Sequence, residues 1–138
     1  MKKRFTLMMM VLCILMSIPL KMMADDEVKA VSHYLTDTWN SEPNPNFNFT
    51  KKDGNIYTCT LDNVPSGTQA IWFRIKIGTT EYGPQENAKE DLTLTSSYQQ
   101  IYPISWKEPK ALMIEHKSGE TSYTITYDRV NNKIKCEA

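Results

Sequence analysis

The sequence is poor in the residues from which catalytic and metal sites are usually built. It has only two histidines and three cysteines among 138 residues. Neither Cys59 nor Cys136 has a neighbour at CxxC spacing, and the chain contains no HEXXH motif and no aspartate-rich calcium loop. His33 and His116 both lie in predicted strands, without the glycine-rich elbow that would expose a catalytic serine beside them. We therefore predict no enzyme activity, no metal and no cofactor.

The chain also lacks a hydrophobic run long enough for an ordinary membrane helix. Its apolar stretch covers residues 5–20, whereas a span needs about 20 residues. Three basic residues at 2–4 precede the stretch, and Ala24 offers a small side chain at a cleavage point. This layout is typical of a secretory signal peptide. We expect residues 1–24 to be removed on export to the periplasm, the cell surface or the medium, with no integral membrane span remaining; an uncleaved N-terminal anchor is the alternative.

Residues 25–138 contain no cluster of basic side chains. Four of the 16 basic residues and none of the 16 acidic ones lie in residues 1–24, which leaves 12 against 16 and a formal net charge of −4. A nucleic-acid binder needs the opposite charge, so nucleic acid is excluded as a partner. The length fits one domain. Cys59 and Cys136 both belong to it, and export permits a disulfide between them; a pair of buried thiols is the alternative.

Period-two alternation of apolar residues dominates residues 25–138. In AIWFRIKI (70–77), isoleucine and phenylalanine alternate with tryptophan, arginine and lysine, which places the aliphatic side chains on one face of a strand. NIYTCTLDNV repeats the pattern, and SYTITYD is followed by a turn at 128–132 and KIKCEA, which indicates a hairpin. No segment carries a helical apolar stripe. The sequence therefore predicts an all-β fold: a single immunoglobulin-like antiparallel β-sandwich of seven to eight strands, with weaker strands at 28–36, 47–51, 91–95 and 111–117.

Several aromatic residues stand at positions that do not suit a core. Trp72 falls on the polar face of its strand, Trp39 lies in the loop-like DTWNSEPNP, and Tyr82 lies in the turn-like EYGP. An exposed flat ring is a platform on which the apolar face of a pyranose can stack, while nearby Arg, Lys, Asn and Gln bond its hydroxyls. The alternative is that some of these rings cap the open ends of the sandwich. The remaining members of this group are Trp106, Tyr98 and Tyr102.

Four segments in order carry a family resemblance: HYLTDTWNSE, DGNIYTCTL, AIWFRIKIGTTEYGP and SYTITYDRVNNKIKCEA. Together they span residues 31–137 and resemble the starch-binding domains of the SusE and SusF type, and more distantly the glycogen-binding module of AMP-activated protein kinase. The resemblance implies a Bacteroidetes bacterium and an α-glucan ligand. It also implies that Trp39 and Tyr82 are the two stacking platforms and that Arg74 is the basic residue pointing at the ligand.

We therefore expect an exported, non-catalytic carbohydrate-binding module for an oligosaccharide or polysaccharide. The alternative is an exported structural or protein-interaction domain without a sugar site, since exposed aromatic rings also anchor protein partners. In the first reading the ligand-binding residues are Trp39 and Tyr82 as platforms, Trp72 or Trp106 as further rings, and Arg74 and Lys76 as hydrogen-bond donors.

Overall fold

The structure is a computed structural model and describes residues 27–36 and 38–138. Over these two ranges the chain forms eleven strands and no helix, and therefore no helix able to cross a membrane. The predicted signal peptide, residues 1–24, lies outside them. The strands are β1 (Val28–Val31), β2 (Thr50–Asp53), β3 (Ile56–Leu61), β4 (Ala70–Ile77), β5 (Thr80–Gly83), β6 (Leu92–Thr93), β7 (Gln99–Gln100), β8 (Tyr102–Ile104), β9 (Leu112–Glu115), β10 (Tyr123–Asp128) and β11 (Lys133–Glu137).

The strands form two sheets. The first has the order β6-β9-β4-β5-β8, and β1 also pairs with β4, along its C-terminal half. The second has the order β2-β3-β10-β11-β7. Every pairing is antiparallel except that of β6 with β9. Antiparallel sheets can bury one face and leave the other in solvent, so each sheet has an inner face and an outer face.

One hydrophobic core unites the inner faces of the two sheets. It contains Phe73 and Ile75 from β4 and Ile125 and Tyr127 from β10, each at most 1% exposed. Alternate residues of a strand point to the same face, so the alternation read from the sequence becomes one continuous apolar layer. Burying a large apolar side chain completely stabilises the fold by about 1.5–3 kcal/mol. The prediction of an all-β chain is confirmed, and two sheets around one core are consistent with a β-sandwich.

The sequence predicted fewer strands than the structure contains. The additional strands are short: β6 and β7 have two residues each and β8 has three. Segments of that length are too short for alternation to be visible. The strand β5 lies where the sequence predicted a turn. The hairpin of β10 and β11 is confirmed, and Tyr127 Oη donates a 2.6 Å hydrogen bond to Oδ1 of Asn132 in its turn.

Cys59 and Cys136 are free, buried thiols. They lie on β3 and β11, the two strands that flank β10, and both are in register with Ile125. Two strand spacings therefore separate their Cα atoms by roughly 10 Å, whereas a disulfide requires less than about 7 Å. The possible disulfide between Cys59 and Cys136 is therefore not formed, and the alternative prediction of two buried thiols is confirmed.

We expect the stability of the fold not to depend on the redox state of the medium. Adding a reductant should leave the urea midpoint of unfolding unchanged. A thiol reagent should label Cys59, which is 1% exposed, only after unfolding, and should label Cys136, which lines an open cleft, only slowly in the folded state, because burial raises both thiol pKa values. Mass spectrometry with and without urea measures the labelling. A mass two protons lower under non-reducing conditions would contradict the expectation.

Candidate functional site

The outer face of β4 carries three side chains that the sequence predicted to face a ligand: Trp72, Arg74 and Lys76. The alternation itself is as expected, since Phe73 and Ile75 between them are buried in the core. The three outer side chains nevertheless differ in exposure. Arg74 is only 4% exposed, whereas Trp72 and Lys76 are half-buried. The chain segments that cover this face therefore determine which of the three can reach a ligand.

The Arg74 guanidinium is fully hydrogen-bonded within the protein. Its Nη1 lies 3.3 Å from Oε1 of the buried Glu81 and also donates to the Ser105 carbonyl at 3.4 Å. Nε and Nη2 donate to the Lys110 carbonyl at 3.2 and 2.9 Å, and Nη2 also donates to the Glu108 carbonyl. These bonds use all five N–H donors of the side chain. The expected role of Arg74 as a donor to a ligand is corrected accordingly: no N–H is left, and the side chain holds the opposite backbone on the sheet.

The backbone that Arg74 holds is residues 105–110, which we call the covering segment. It brings Trp106 to the surface, where the side chain is 73% exposed and Lys107 Nζ lies 5.6 Å from its ring centroid. The carbonyl of Ser105, the residue before Trp106, accepts a hydrogen bond from Arg74. The buried cation thus fixes the backbone beside an exposed indole.

Trp39, His33 and Trp72 form an aromatic cluster on the same face. The His33 ring stacks on Trp72 at 5.8 Å between centroids and 20° between planes, and it lies 5.9 Å from Trp39 at 44°. Arg74 Cζ is 5.9 Å from the Trp39 ring centroid. Trp39 keeps 39% of its surface in solvent. The outer face of the first sheet therefore presents the partly exposed Trp39 indole, which lies next to the His33 ring and the Arg74 guanidinium. The His33 ring in turn stacks on Trp72.

Hydrogen bonds fix the Trp72 end of the aromatic cluster. Trp72 Nε1 donates to Asp91 Oδ2 at 3.1 Å, and Asp91 Oδ1 accepts from the Ala111 backbone N–H at 2.9 Å. Ser32 Oγ donates to the Trp72 carbonyl at 2.5 Å. With its indole N–H paired, Trp72 supports the other two rings and has no donor left for a ligand.

The loop that carries Trp39 is anchored on both sides of that residue. Asn44 Nδ2 donates to the Ser32 and Tyr34 carbonyls, each at 2.9 Å. Lys76 Nζ donates to the Ser41 carbonyl at 2.5 Å. Because the loop is tied to the sheet, it would lose less conformational entropy than a free loop if a ligand bound to Trp39. The Lys76 ammonium has three N–H groups, so a donor for a ligand remains beside the loop.

Tyr82 lies on the opposite face of the sheet from Trp39. It is in register with Ile75, which is fully buried, and directly opposed residues of an antiparallel pair share a face. The ring accordingly packs against the hydrophobic core. The expected pairing of Trp39 and Tyr82 as two platforms of one cradle is therefore corrected, because a sheet separates the two rings.

Sequence reasoning missed His33 as a member of the cluster, treating it as an ordinary strand histidine. The period-two pattern contains the signal. Val31 is in register with Arg74 on the outer face, and His33, two residues later, continues that face. The side chain then meets Trp72, but only the register of β1 against β4 reveals this.

Chemically, the exposed ring of the aromatic cluster is the Trp39 indole, and an exposed indole is suited to stacking. In the described ranges, no three His, Cys, Asp or Glu side chains come together in a way that could hold a metal ion. Comparison of the chain with protein-family models, with curated proteins and with solved structures found no match in any of the three.

Proposed function

We propose that this chain is an exported, non-catalytic carbohydrate-binding module with an immunoglobulin-like sandwich fold, and that the aromatic cluster is its sugar site. The observation that carries the proposal is the Trp39 ring, 39% exposed and backed by His33 on a rigid sheet. An α-glucan is the first ligand to test, in line with the SusE and SusF resemblance of the sequence.

The proposed site differs from the one expected from the sequence. Trp39 is the main platform, and Trp106, which follows a residue bonded to Arg74, is the second exposed ring. Lys76 supplies the hydrogen-bond donor. Arg74 acts beneath the ring and not on the sugar. Each stacked ring is worth about 1 kcal/mol beyond its buried area, so the expected dissociation constant lies roughly between high micromolar and millimolar.

The test is a titration of the protein with malto-oligosaccharides and a panel of other glycans, followed by tryptophan fluorescence. We expect Trp39→Ala to weaken binding about tenfold, since one aromatic stack and its buried area are lost. Tyr98→Ala is the matched control. Tyr98 is 43% exposed, but its ring lies 5.1 Å from Lys135 Nζ on the second sheet.

Two results would contradict the proposal. One is that no glycan of the panel changes the tryptophan fluorescence, and the other is that Trp39→Ala binds glycan with the affinity of the unchanged protein. An effect of Tyr98→Ala as large as that of Trp39→Ala would also count against it, because the response would then not be local to the aromatic cluster.

An exported protein-interaction domain is the second candidate, and the exposed Leu35 favours it. Leu35 is 59% exposed in the loop that carries Trp39, at a positive φ of 55°. An aliphatic side chain is no stacking surface for a sugar, but it suits a protein interface, in which aromatic anchors dominate the binding energy. Leu35→Ser separates the two functions: glycan binding should persist, whereas a protein interface centred on this loop should weaken.

A further inference from the structure

A cleft of 710 Å³ opens between the two sheets, at the side where β1 and β2 form their edges. Its apolar lining includes Val28, Phe47, Phe49 and Tyr57. Val28 and Phe47 are buried core residues, and the other two pack against the core while remaining half-buried. Its volume falls in the range of sites that hold a ligand or a peptide side chain, roughly 300–1,000 Å³. The cleft is separate from the aromatic cluster and shares no lining residue with it.

Lys51 on β2 points into this cleft and not outward. It is in register with Tyr57 of β3, and Tyr57 is in register with the fully buried Tyr127 of β10. Directly opposed residues share a face, so all three belong to the inner face of the second sheet. Lys51 is exposed and forms no ion pair with any residue in the described ranges. The other lysine of the cleft, Lys29, lies 3.2 Å from Glu27 Oε2.

Unpaired strand edges border the cleft on both sides. Among the described strands, β2 pairs only with β3 and ends its sheet, and β1 pairs only with β4. The free edge of β1 is partly closed, because the Asn44 N–H donates to the Ala30 carbonyl at 2.8 Å. The four residues of β2 are exposed, and its pairing with β3 shifts register between Lys51 and Asp53. An unpaired edge next to a cleft with both apolar and polar lining residues is an arrangement that accepts an extended peptide as an added strand.

We propose that β2 accepts an extended acidic peptide segment as a sixth strand of the second sheet. Main-chain hydrogen bonds would hold the segment on β2, an apolar side chain would enter the cleft beside Phe49, and a carboxylate would lie opposite Lys51. The charge of β2 favours an acidic partner, since its four residues include two lysines, Lys51 and Lys52, and one carboxylate, Asp53. A second copy of the domain pairing edge to edge would place lysines against lysines, whereas an acidic strand neutralises them.

The probe is a fluorescein-labelled octapeptide with valine and glutamate alternating at its odd positions and threonine at its even positions, so that apolar and acidic side chains share the face that meets Lys51. Its controls are the same peptide with lysine for glutamate and one with proline at alternate positions, which removes main-chain donors. Fluorescence anisotropy measures binding, and amide hydrogen exchange measures protection of residues 50–53. We expect the acidic peptide alone to bind and to protect β2.

The variant Lys51→Glu should weaken binding of the acidic peptide roughly fivefold to tenfold and should admit the lysine peptide, since one cross-strand pair changes from attraction to repulsion. Lys89→Glu makes the same change of charge on an exposed residue outside the cleft. Its affinity for the acidic peptide should stay within about twofold of that of the unchanged protein. Equal binding of the acidic and lysine peptides, an unaffected Lys51→Glu variant, or protection away from residues 50–53 would overturn the proposal. Binding of laurate at this cleft without binding of the peptide would also overturn it, and would assign the cleft to acyl chains. None of these outcomes depends on glycan binding.

Discussion

Replacing Arg74 by methionine is expected to lower the free energy of unfolding by about 3–5 kcal/mol. The substitution leaves the Glu81 carboxylate, which is 8% exposed, without its cation, and it removes the donors from the Ser105, Glu108 and Lys110 carbonyls. The Glu81 carboxylate is a buried acceptor, and the loss of its Arg74 donor costs free energy comparable to its desolvation. The Ser105 carbonyl keeps the N–H of Glu108 at 3.0 Å. Urea unfolding followed by circular dichroism measures the change.

Two control variants separate the cost of the unpaired Glu81 carboxylate from the cost of losing any ion pair. The double variant Arg74→Met/Glu81→Leu should recover part of the loss, because the stranded charge is gone. Lys135→Met removes a partly exposed ion pair, 3.7 Å from Glu137, and should cost at most about 1 kcal/mol. If Arg74→Met costs no more than Lys135→Met, the guanidinium does not hold the covering segment on the sheet.

Stability is expected to fall steeply above pH 9 because of the two buried thiols. Burial raises the pKa of Cys59 from 9.0 to about 11 and that of Cys136 from 9.0 to about 12. The folded state therefore keeps both protons at a pH where the unfolded chain has released them, so the stabilisation is complete below pH 9 and is lost as the pH rises through the folded pKa values. The combined loss between pH 9 and about pH 10.5 is about 3 kcal/mol.

The slope of unfolding free energy against pH tests this expectation. Cys59→Ala/Cys136→Ala should flatten the curve between pH 9 and about pH 10.5, since the groups that titrate in the unfolded chain are gone. Ile125→Val is the matched control. It trims the residue between the two cysteines and should lower stability while leaving the slope unchanged. Buried tyrosines continue the decline at higher pH, because burial also raises the pKa of Tyr127. If the variant without the two thiols shows the same slope as the unchanged protein, the thiols do not cause the loss of stability above pH 9.

The long strands could be predicted from the sequence because each carries its own evidence. β3, β4 and β10 have six to eight residues with apolar side chains at every second position, and this period suffices to fix the strand and its inner face. The short strands β6, β7 and β8 could not be predicted. Their hydrogen bonds depend on which neighbour lies alongside, and two or three residues contain no period.

The candidate site was only partly visible in the sequence for a related reason. The alternation placed Trp72, Arg74 and Lys76 on the outer face of β4, and the structure agrees. It could not show that residues 105–110 cover that face and, together with Glu81, take every donor of Arg74. Nor could it show that Tyr82 belongs to a strand facing the core. Contacts between residues far apart in the chain leave no local pattern.

Residue order alone determined that the chain is all-β, which side chains alternate, and that His33, Trp39 and Trp72 are present. The tertiary structure decided that these three rings meet, that two cysteines on strands flanking β10 cannot be joined, and that a lysine of an edge strand faces inward. The physical reason is register: a strand's own side chains fix which residues share a face, but only its pairing with distant strands fixes what each face touches.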